Sequence, residues 1–235
     1  MSKAHKGFTL IELLIVIVII LLLAAILLPV FSEARKTAYQ VVCLNNLKQI
    51  GIAFRLYSED WSGYLPLFSH YGYDNPQCWP TLWGAMIQPY IGGSSDKQTG
   101  WNYLVCPSRP SKDYQGYSYA VNYPFIIGYP ANTGYGQKGS AKLSKVPSQV
   151  FVVADSRMTV VYHPQWWWFN ADWDNDGVLD TMWQTGVIYN GLAGGAHRQG
   201  ADFLFGDTHA KYVRTIDFVT NKNGLWGEPN YSLYR

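Results

Sequence analysis

The first quarter of the chain carries a long apolar pattern. Residues 13–31 contain no charged side chain, and the apolar stretch extends back to Phe8, interrupted by one hydroxyl and one acid, Glu12. A helix over these 24 residues is about 36 Å long, enough to cross a hydrocarbon core of about 30 Å. The pattern therefore predicts a membrane-spanning helix over residues 8–31, loosened near its end by Pro29.

Beyond residue 31 the apolar positions recur in steps of three and four, which is typical of one face of an amphipathic helix. They are Val41, Leu44, Leu47, Ile50, Phe54 and Tyr57. We therefore predict one continuous helix over residues 8–57, whose second half packs on its own globular body. Gly51 inside this helix predicts the close approach of another element, because glycine otherwise weakens a helix.

After residue 57 the pattern changes to short apolar runs separated by Gly, Pro, Asn and Ser. Three of these runs predict strands over residues 117–123, 149–154 and 159–162. Residues 201–205 and 210–214 flank a four-residue turn and predict a hairpin. The expected fold class is α+β: a long N-terminal helix on a small antiparallel sheet with long loops, the β-rich body covering residues 58–235.

The charge distribution argues against nucleic-acid binding. The chain has 235 residues, of which only 14% are charged, and its net charge is +2. Lys3 and Lys6 account for that excess, and the remaining charges balance, so no basic surface is predicted for a nucleic acid. The same two lysines precede the apolar stretch, which places the N-terminus in the cytoplasm and the body outside it.

The segment from Lys6 to Leu13, KGFTLIEL, resembles the prepilin signal of type IV pilins and type II secretion pseudopilins. The resemblance implies a leader over residues 1–7, cleavage between Gly7 and Phe8 by a prepilin peptidase, and N-methylation of Phe8. It also implies that Glu12 pairs with the Phe8 amine of a neighbouring subunit. A cleaved secretory signal peptide fits less well because its apolar core is shorter. A plain membrane anchor does not account for an acid within the apolar stretch.

Scattered segments of the body resemble the pilin-like proteins with a DUF1559-type body. They are residues 43–51 (CLNNLKQIG), the Cys106-Pro107-Ser108 segment, and His197 followed after nine residues by Asp207. In that family the acid precedes Gly, whereas here it precedes Thr208, which tolerates positive φ poorly. The resemblance favours a Cys43–Cys106 disulfide, which leaves Cys78 free or paired between subunits.

Two interpretations of the histidines near the C-terminal hairpin remain open. In the favoured one, His197 and Asp207 hold the hairpin together by hydrogen bonds. In the other, His197, Asp207 and His209 converge on a metal ion. No nucleophile, phosphate-binding or zinc-protease motif accompanies them, so we predict no catalytic residues and no enzyme activity.

The strongest metal-binding pattern is DWDNDGVLD, residues 172–180. It matches the opening of a calcium loop but lacks the Glu at position twelve that an EF-hand requires. We expect Ca²⁺ to order this loop, and the alternative is a solvated acidic turn. The four expected ligands are Asp172, Asp174, Asp176 and Asp180. The preceding aromatic run, residues 166–169, fits a small local core, a subunit contact or a glycan-binding surface.

Together these patterns predict a structural subunit of a type IV pilus-like or type II secretion pseudopilus filament. Its expected partners are further copies of itself, the prepilin peptidase, the inner-membrane assembly platform and, before assembly, the membrane. Its expected location is the bacterial inner membrane and then an extracytoplasmic or cell-surface filament. The alternative is a membrane-anchored or filament-tip binding module that uses an aromatic, calcium-containing body to bind glycans or surfaces.

Overall fold

A computed structural model describes the long N-terminal helix and most of the central sheet. The described residues are 8–68, 83–92, 104–108, 118–123, 126–128, 139–155, 160–162, 170–171, 180–181, 197, 200–214 and 217. The chain divides into two compact units, Met1–Ala38 and Tyr39–Arg235.

The first helix, α1 (Leu10–Asp60), is continuous over 51 residues and passes through Pro29. It begins two residues after the predicted start and ends three residues beyond the predicted end. Its first half contains a segment that is long and apolar enough to cross a membrane, judged by length and composition. The prediction of one helix with an apolar first half is therefore confirmed.

The second half of α1 buries an apolar face within the body. Leu47, Ile50 and Phe54 from the predicted stripe are almost completely buried. The prediction was wrong for Val41, which is 52% exposed, because the buried face begins two residues later at Cys43. Residues spaced by three fall short of a full 3.6-residue turn, so a row of them rotates gradually around the helix. The sequence stripe therefore does not show where the contact with the body begins.

A second helix, α2 (Trp83–Ile91), was not predicted from the sequence. It is only nine residues long and contains Pro89, so its helical pattern is weak. Its first residue, Trp83, is fully buried and packs edge-on against Phe54 of α1, with 5.8 Å between the ring centres. The short helix therefore completes the core beside the second half of α1.

The main sheet has the strand order β3-β1-β2-β6-β7. Its strands are β1 (Tyr119–Tyr123), β2 (Phe151–Asp155), β3 (Val160–Tyr162), β6 (Gly200–Phe205) and β7 (Ala210–Arg214). The pairs β1–β2, β2–β6 and β6–β7 are all antiparallel, which confirms the predicted antiparallel sheet. Strand β3 adds a fifth member, which pairs parallel to β1.

Two of these strands lie in the interior. Every residue of β2 and of β6 is buried, as expected for the apolar run Phe151–Ala154. The predicted hairpin is formed by β6 and β7, which pair from Gly200↔Arg214 to Leu204↔Ala210. The main core therefore forms between this sheet and the second half of α1.

The turn of that hairpin lies against Gly51 of α1. A Cβ added at Gly51 would lie 2.8 Å from Leu204 Cδ1 and 3.1 Å from the backbone oxygen of Thr208. These distances are too short for a side chain, which confirms the close approach predicted from this glycine. Thr208 has φ of +69°, so it adopts a left-handed conformation that costs an L-residue with a Cβ about 1–2 kcal/mol.

A separate two-stranded sheet lies between β3 and β6 in the sequence. It consists of β4 (Asn170–Ala171) and β5 (Asp180–Thr181), which are antiparallel, with Ala171 opposite Asp180. The pairing places Ala171, the residue before the acidic segment that was predicted to bind calcium, opposite Asp180, the last residue of that segment.

Candidate functional site

The first turn of α1 is closed by a capping box between Thr9 and Glu12. Glu12 Oε2 accepts hydrogen bonds from the Thr9 backbone N–H at 2.9 Å and from the Thr9 hydroxyl at 2.8 Å. The Glu12 backbone N–H donates in return to the Thr9 hydroxyl at 3.3 Å. This reciprocal arrangement satisfies N–H groups that a helix start otherwise leaves unpaired. We missed it in the sequence, although the signal, Thr followed three residues later by Glu, was present.

The capping box gives the Glu12 carboxylate a fixed position at the start of the helix. The positive end of the helix dipole favours an anion there. A carboxylate has about four acceptor positions, so the two bonds to Oε2 leave capacity for an external cation. Gly7 lies outside the described residues, and Phe8, the first described residue, is 73% exposed. Glu12 therefore combines a local role in its own helix with an available negative charge.

The large apolar side chains of residues 8–31 are all exposed on the surface of the helix. Their exposed fractions run from 44% for Ile17 to 87% for Leu10. An exposed apolar surface of this extent requires an apolar environment, either lipid or other protein. Residues 8–31 are therefore the part of the chain whose surface suits contact with lipid or with other protein chains.

Within the body, Cys43 and Cys106 form a disulfide, the pair that the sequence favoured. Both are completely buried, and their Cα atoms are 5.5 Å apart. The bond links α1 to the segment that precedes β1 across 63 positions of sequence. Cys78 lies outside the described residues.

His197 lies beside this disulfide and between two acidic side chains. Its Nε2 is 3.0 Å from Asp155 Oδ2, 3.6 Å from Asp202 Oδ2 and 3.4 Å from Cys106 Sγ. The two acids come from adjacent strands. Ala154 of β2 pairs with Phe203 of β6, and Asp155 and Asp202 are the next residues along these two antiparallel strands. The side chains of the histidine and of both acids are completely buried. We call this group the His197 cluster.

The charges of the His197 cluster are poorly compensated by the surrounding protein. Among the described residues, the carboxylate oxygens of Asp155 and Nδ1 of His197 have no hydrogen bond of normal geometry, and the Gln40 side chain is the one uncharged donor that faces the Asp202 carboxylate. Burial raises the pKa of Asp202 to about 7; His197 opposes this shift, and the charge of Asp155 adds to it. The sequence signal for this cluster was an acid within or directly after a fully apolar strand, which we did not connect to His197.

His197 and Asp207, which we predicted to stabilise the hairpin together, have different partners. Asp207 lies in the hairpin turn, where its carboxylate accepts a bond from the His209 backbone N–H at 3.1 Å and contacts the ring Nδ1 of His209. Both of these side chains are about half exposed, whereas that of His197 is completely buried. The geometry thus separates the three residues into a surface pair and a core residue.

The remaining predicted site residues lie mostly outside the described part of the chain. Asp172, Asp174 and Asp176 belong to that group, as does the aromatic run over residues 166–169. Asp180 is described only as a strand residue of β5.

Comparison with known proteins gives one match. The family described as "Prokaryotic N-terminal methylation motif" matches residues 2–28. No curated protein and no solved structure matches the chain. The chain therefore carries a prepilin-type methylation signal, followed by a long helix with a hydrophobic first half and an antiparallel sheet. This combination is pilin-like, and it suggests processing by a prepilin peptidase, membrane anchoring and a structural role.

Proposed function

We propose that the protein is a structural subunit of a type IV pilus-like or type II secretion pseudopilus filament. The observation that carries the proposal is the match to the methylation motif over residues 2–28, which includes the start of a helix whose large apolar side chains are exposed up to residue 31. The motif accounts for cleavage and methylation of the N-terminus. The exposed apolar helix surface accounts for residence in the membrane before assembly and for packing against other subunits in a filament.

The proposed mechanism begins with cleavage between Gly7 and Phe8, which creates a new amine on Phe8 that is then methylated. The amine is cationic, and the Glu12 carboxylate is fixed one turn into the helix by its bonds to Thr9. Either charge is costly in lipid by itself, and both costs fall when the amine of one subunit meets the acid of the next. The apolar helices then exchange lipid contacts for contacts with each other.

The proposal extends to partners, location and body type. The prepilin peptidase and an inner-membrane assembly platform act on the chain, which moves from the inner membrane into an extracytoplasmic filament of identical subunits. We place the body with the DUF1559-type pilin-like proteins. The disulfide between two of the family-like segments supports this placement. No catalytic role is proposed for any residue.

The test is the N-terminus of the native protein, determined by intact mass spectrometry of sheared surface material and of membranes. We expect a mature chain that begins at methylated Phe8 and is abundant in sheared fibres. A Gly7→Leu variant is the matched control, because a bulky residue at the cleavage point blocks processing. An intact N-terminus in the wild type, or a mature-sized product from the Gly7→Leu variant, would contradict the proposal.

We also propose that Ca²⁺ orders the acidic segment between β4 and β5. The support is the pairing of Ala171, which precedes the segment, with Asp180, and the alternation of carboxylates along the sequence between them. We expect Ca²⁺ to protect this segment of the full chain from limited proteolysis, and an Asp174→Asn/Asp176→Asn double variant to lose the protection. Equal cleavage with Ca²⁺ and with a chelator would contradict a calcium-ordered loop.

A further inference from the structure

The His197 cluster contains more negative charge than its own proton donors can neutralise. Two carboxylates face a single imidazole nitrogen, whose one N–H can donate a good hydrogen bond to only one of them. The Gln40 side chain hydrogen-bonds Asp202, but an amide carries no charge and leaves the net negative charge in place. All three side chains are 0% exposed, so water does not compensate the charges from outside. Burying an ion without compensation costs several kcal/mol. The cluster therefore requires a positive charge or bound protons.

We propose that His197 Nε2, Asp155 Oδ2 and Asp202 Oδ2 bind one divalent transition-metal ion, for which Zn²⁺ is the best match. Two ionised carboxylates and one neutral imidazole neutralise a divalent cation completely. Imidazole is a poor ligand for Ca²⁺ and Mg²⁺, which prefer oxygen, and a good one for zinc. The ion would stabilise the junction of β2 and β6 with the segment that carries His197.

The two separations measured from the histidine agree with this assignment. Zn²⁺ lies about 2.0–2.2 Å from nitrogen and oxygen ligands, so two ligands of a tetrahedral ion lie about 3.3 Å apart. The observed separations from Nε2 are 3.0 Å to Asp155 Oδ2 and 3.6 Å to Asp202 Oδ2. Each of these two separations needs to change by only about 0.3 Å to reach the tetrahedral value.

The disulfide lies beside the same histidine. Cys106 Sγ is 3.4 Å from Nε2, and the ligand atoms of Cys43, Cys106 and His197 all lie within 4.8 Å of one another. Because both sulfurs are committed to the disulfide, neither is a thiolate ligand in this state. The inference therefore concerns a nitrogen- and oxygen-based site, in which the second oxygen of one carboxylate would complete the four-coordination of the ion.

The experiment uses the full chain in detergent with its disulfide intact. The protein is unfolded in urea and refolded with an equimolar amount of Zn²⁺ or Co²⁺, because a completely buried site is filled most easily during folding. Loosely bound metal is then removed with a chelator. We expect one retained ion per chain and an intense visible absorption from tetrahedral Co²⁺, without strong sulfur-to-cobalt charge transfer.

Variants separate this site from the acidic loop over residues 172–180. We expect His197→Gln and Asp202→Asn to weaken metal retention by more than about 100-fold, since loss of a direct ligand should exceed the 10–100-fold cost of losing an outer-shell partner. Asp207→Asn, which alters the exposed pair with His209, should retain the ion. A weak six-coordinate Co²⁺ spectrum that survives His197→Gln would assign the metal to an oxygen-only loop and overturn the proposal.

Measurements on the wild-type chain test the metal site even if the variants fail to fold. A wild-type chain that refolds equally well without metal and retains none after chelation would overturn the site, and bound protons would then neutralise the cluster. Strong charge transfer from sulfur to Co²⁺ would also overturn it, because it would assign the ion to reduced cysteines.

Discussion

Replacement of Glu12 by Gln is expected to leave Phe8 cleaved and methylated but to lower the yield of sheared filament at least about tenfold. An unpaired charge costs about 2.5–3.5 kcal/mol at the bilayer centre and less toward its edge, where residues 8–12 begin the helix, and about 1.4 kcal/mol corresponds to a factor of ten. Gln removes the negative charge that we propose to meet a neighbour's Phe8 amine. The measurement compares filament yield with the amount of mature subunit in the membrane.

Because Glu12 belongs to a capping box, substitutions can separate the effect of its charge from its structural role at the start of the helix. Gln at the third helical position also closes a capping box, so Glu12→Gln keeps the helix start and loses only the charge. Thr9→Val does the reverse: it keeps the Glu12 carboxylate and removes the hydroxyl that exchanges hydrogen bonds with it.

Thr9→Val should therefore assemble far better than Glu12→Gln, because loss of a cap costs only about 1 kcal/mol. If the two variants assemble equally poorly, the carboxylate acts mainly within its own helix and the charge pair is contradicted. Normal filament yield from Glu12→Gln would contradict it as well.

Removal of the disulfide is expected to lower the free energy of unfolding of the body by about 4 kcal/mol. Cys43 and Cys106 enclose a loop of 63 positions, and the loss of loop-closure entropy in the unfolded chain predicts about this value. Typical domains have only about 5–15 kcal/mol of stability. A Cys43→Ala/Cys106→Ala variant should therefore unfold at a much lower urea concentration, followed by tryptophan fluorescence of the full chain in detergent.

Two further measurements isolate the covalent bond from the packing of its side chains. The wild type in a dithiol reductant loses the bond but keeps both side chains, so it should show most of the same loss. Cys78→Ala keeps both partners of the disulfide and reveals any effect of exchange with the third cysteine. A loss below about 1 kcal/mol in the double variant would show that the loop is already constrained in the unfolded chain.

Local patterns in the sequence were sufficient for the regular elements. The apolar run up to Phe31 and the stripe from Val41 to Tyr57 predicted α1, because a helix is determined by spacing within one segment. The alternating and apolar runs predicted β1, β2, β3 and the β6–β7 hairpin, and Gly51 predicted a close contact. The type of the contacting element followed only from the structure, which places the hairpin turn there.

The sequence by itself therefore determined the methylation signal, the long helix and the main strands, and its resemblance to a known family favoured the disulfide that the structure contains. Only the tertiary structure decided the parallel pairing of β3, the position of α2 and the surroundings of His197. The physical reason is distance along the chain. The packing of β2, β6 and α1 brings together Asp155, His197 and Cys106, which are far apart in the sequence. The local spacing of residues does not predict which buried side chains meet in such a core.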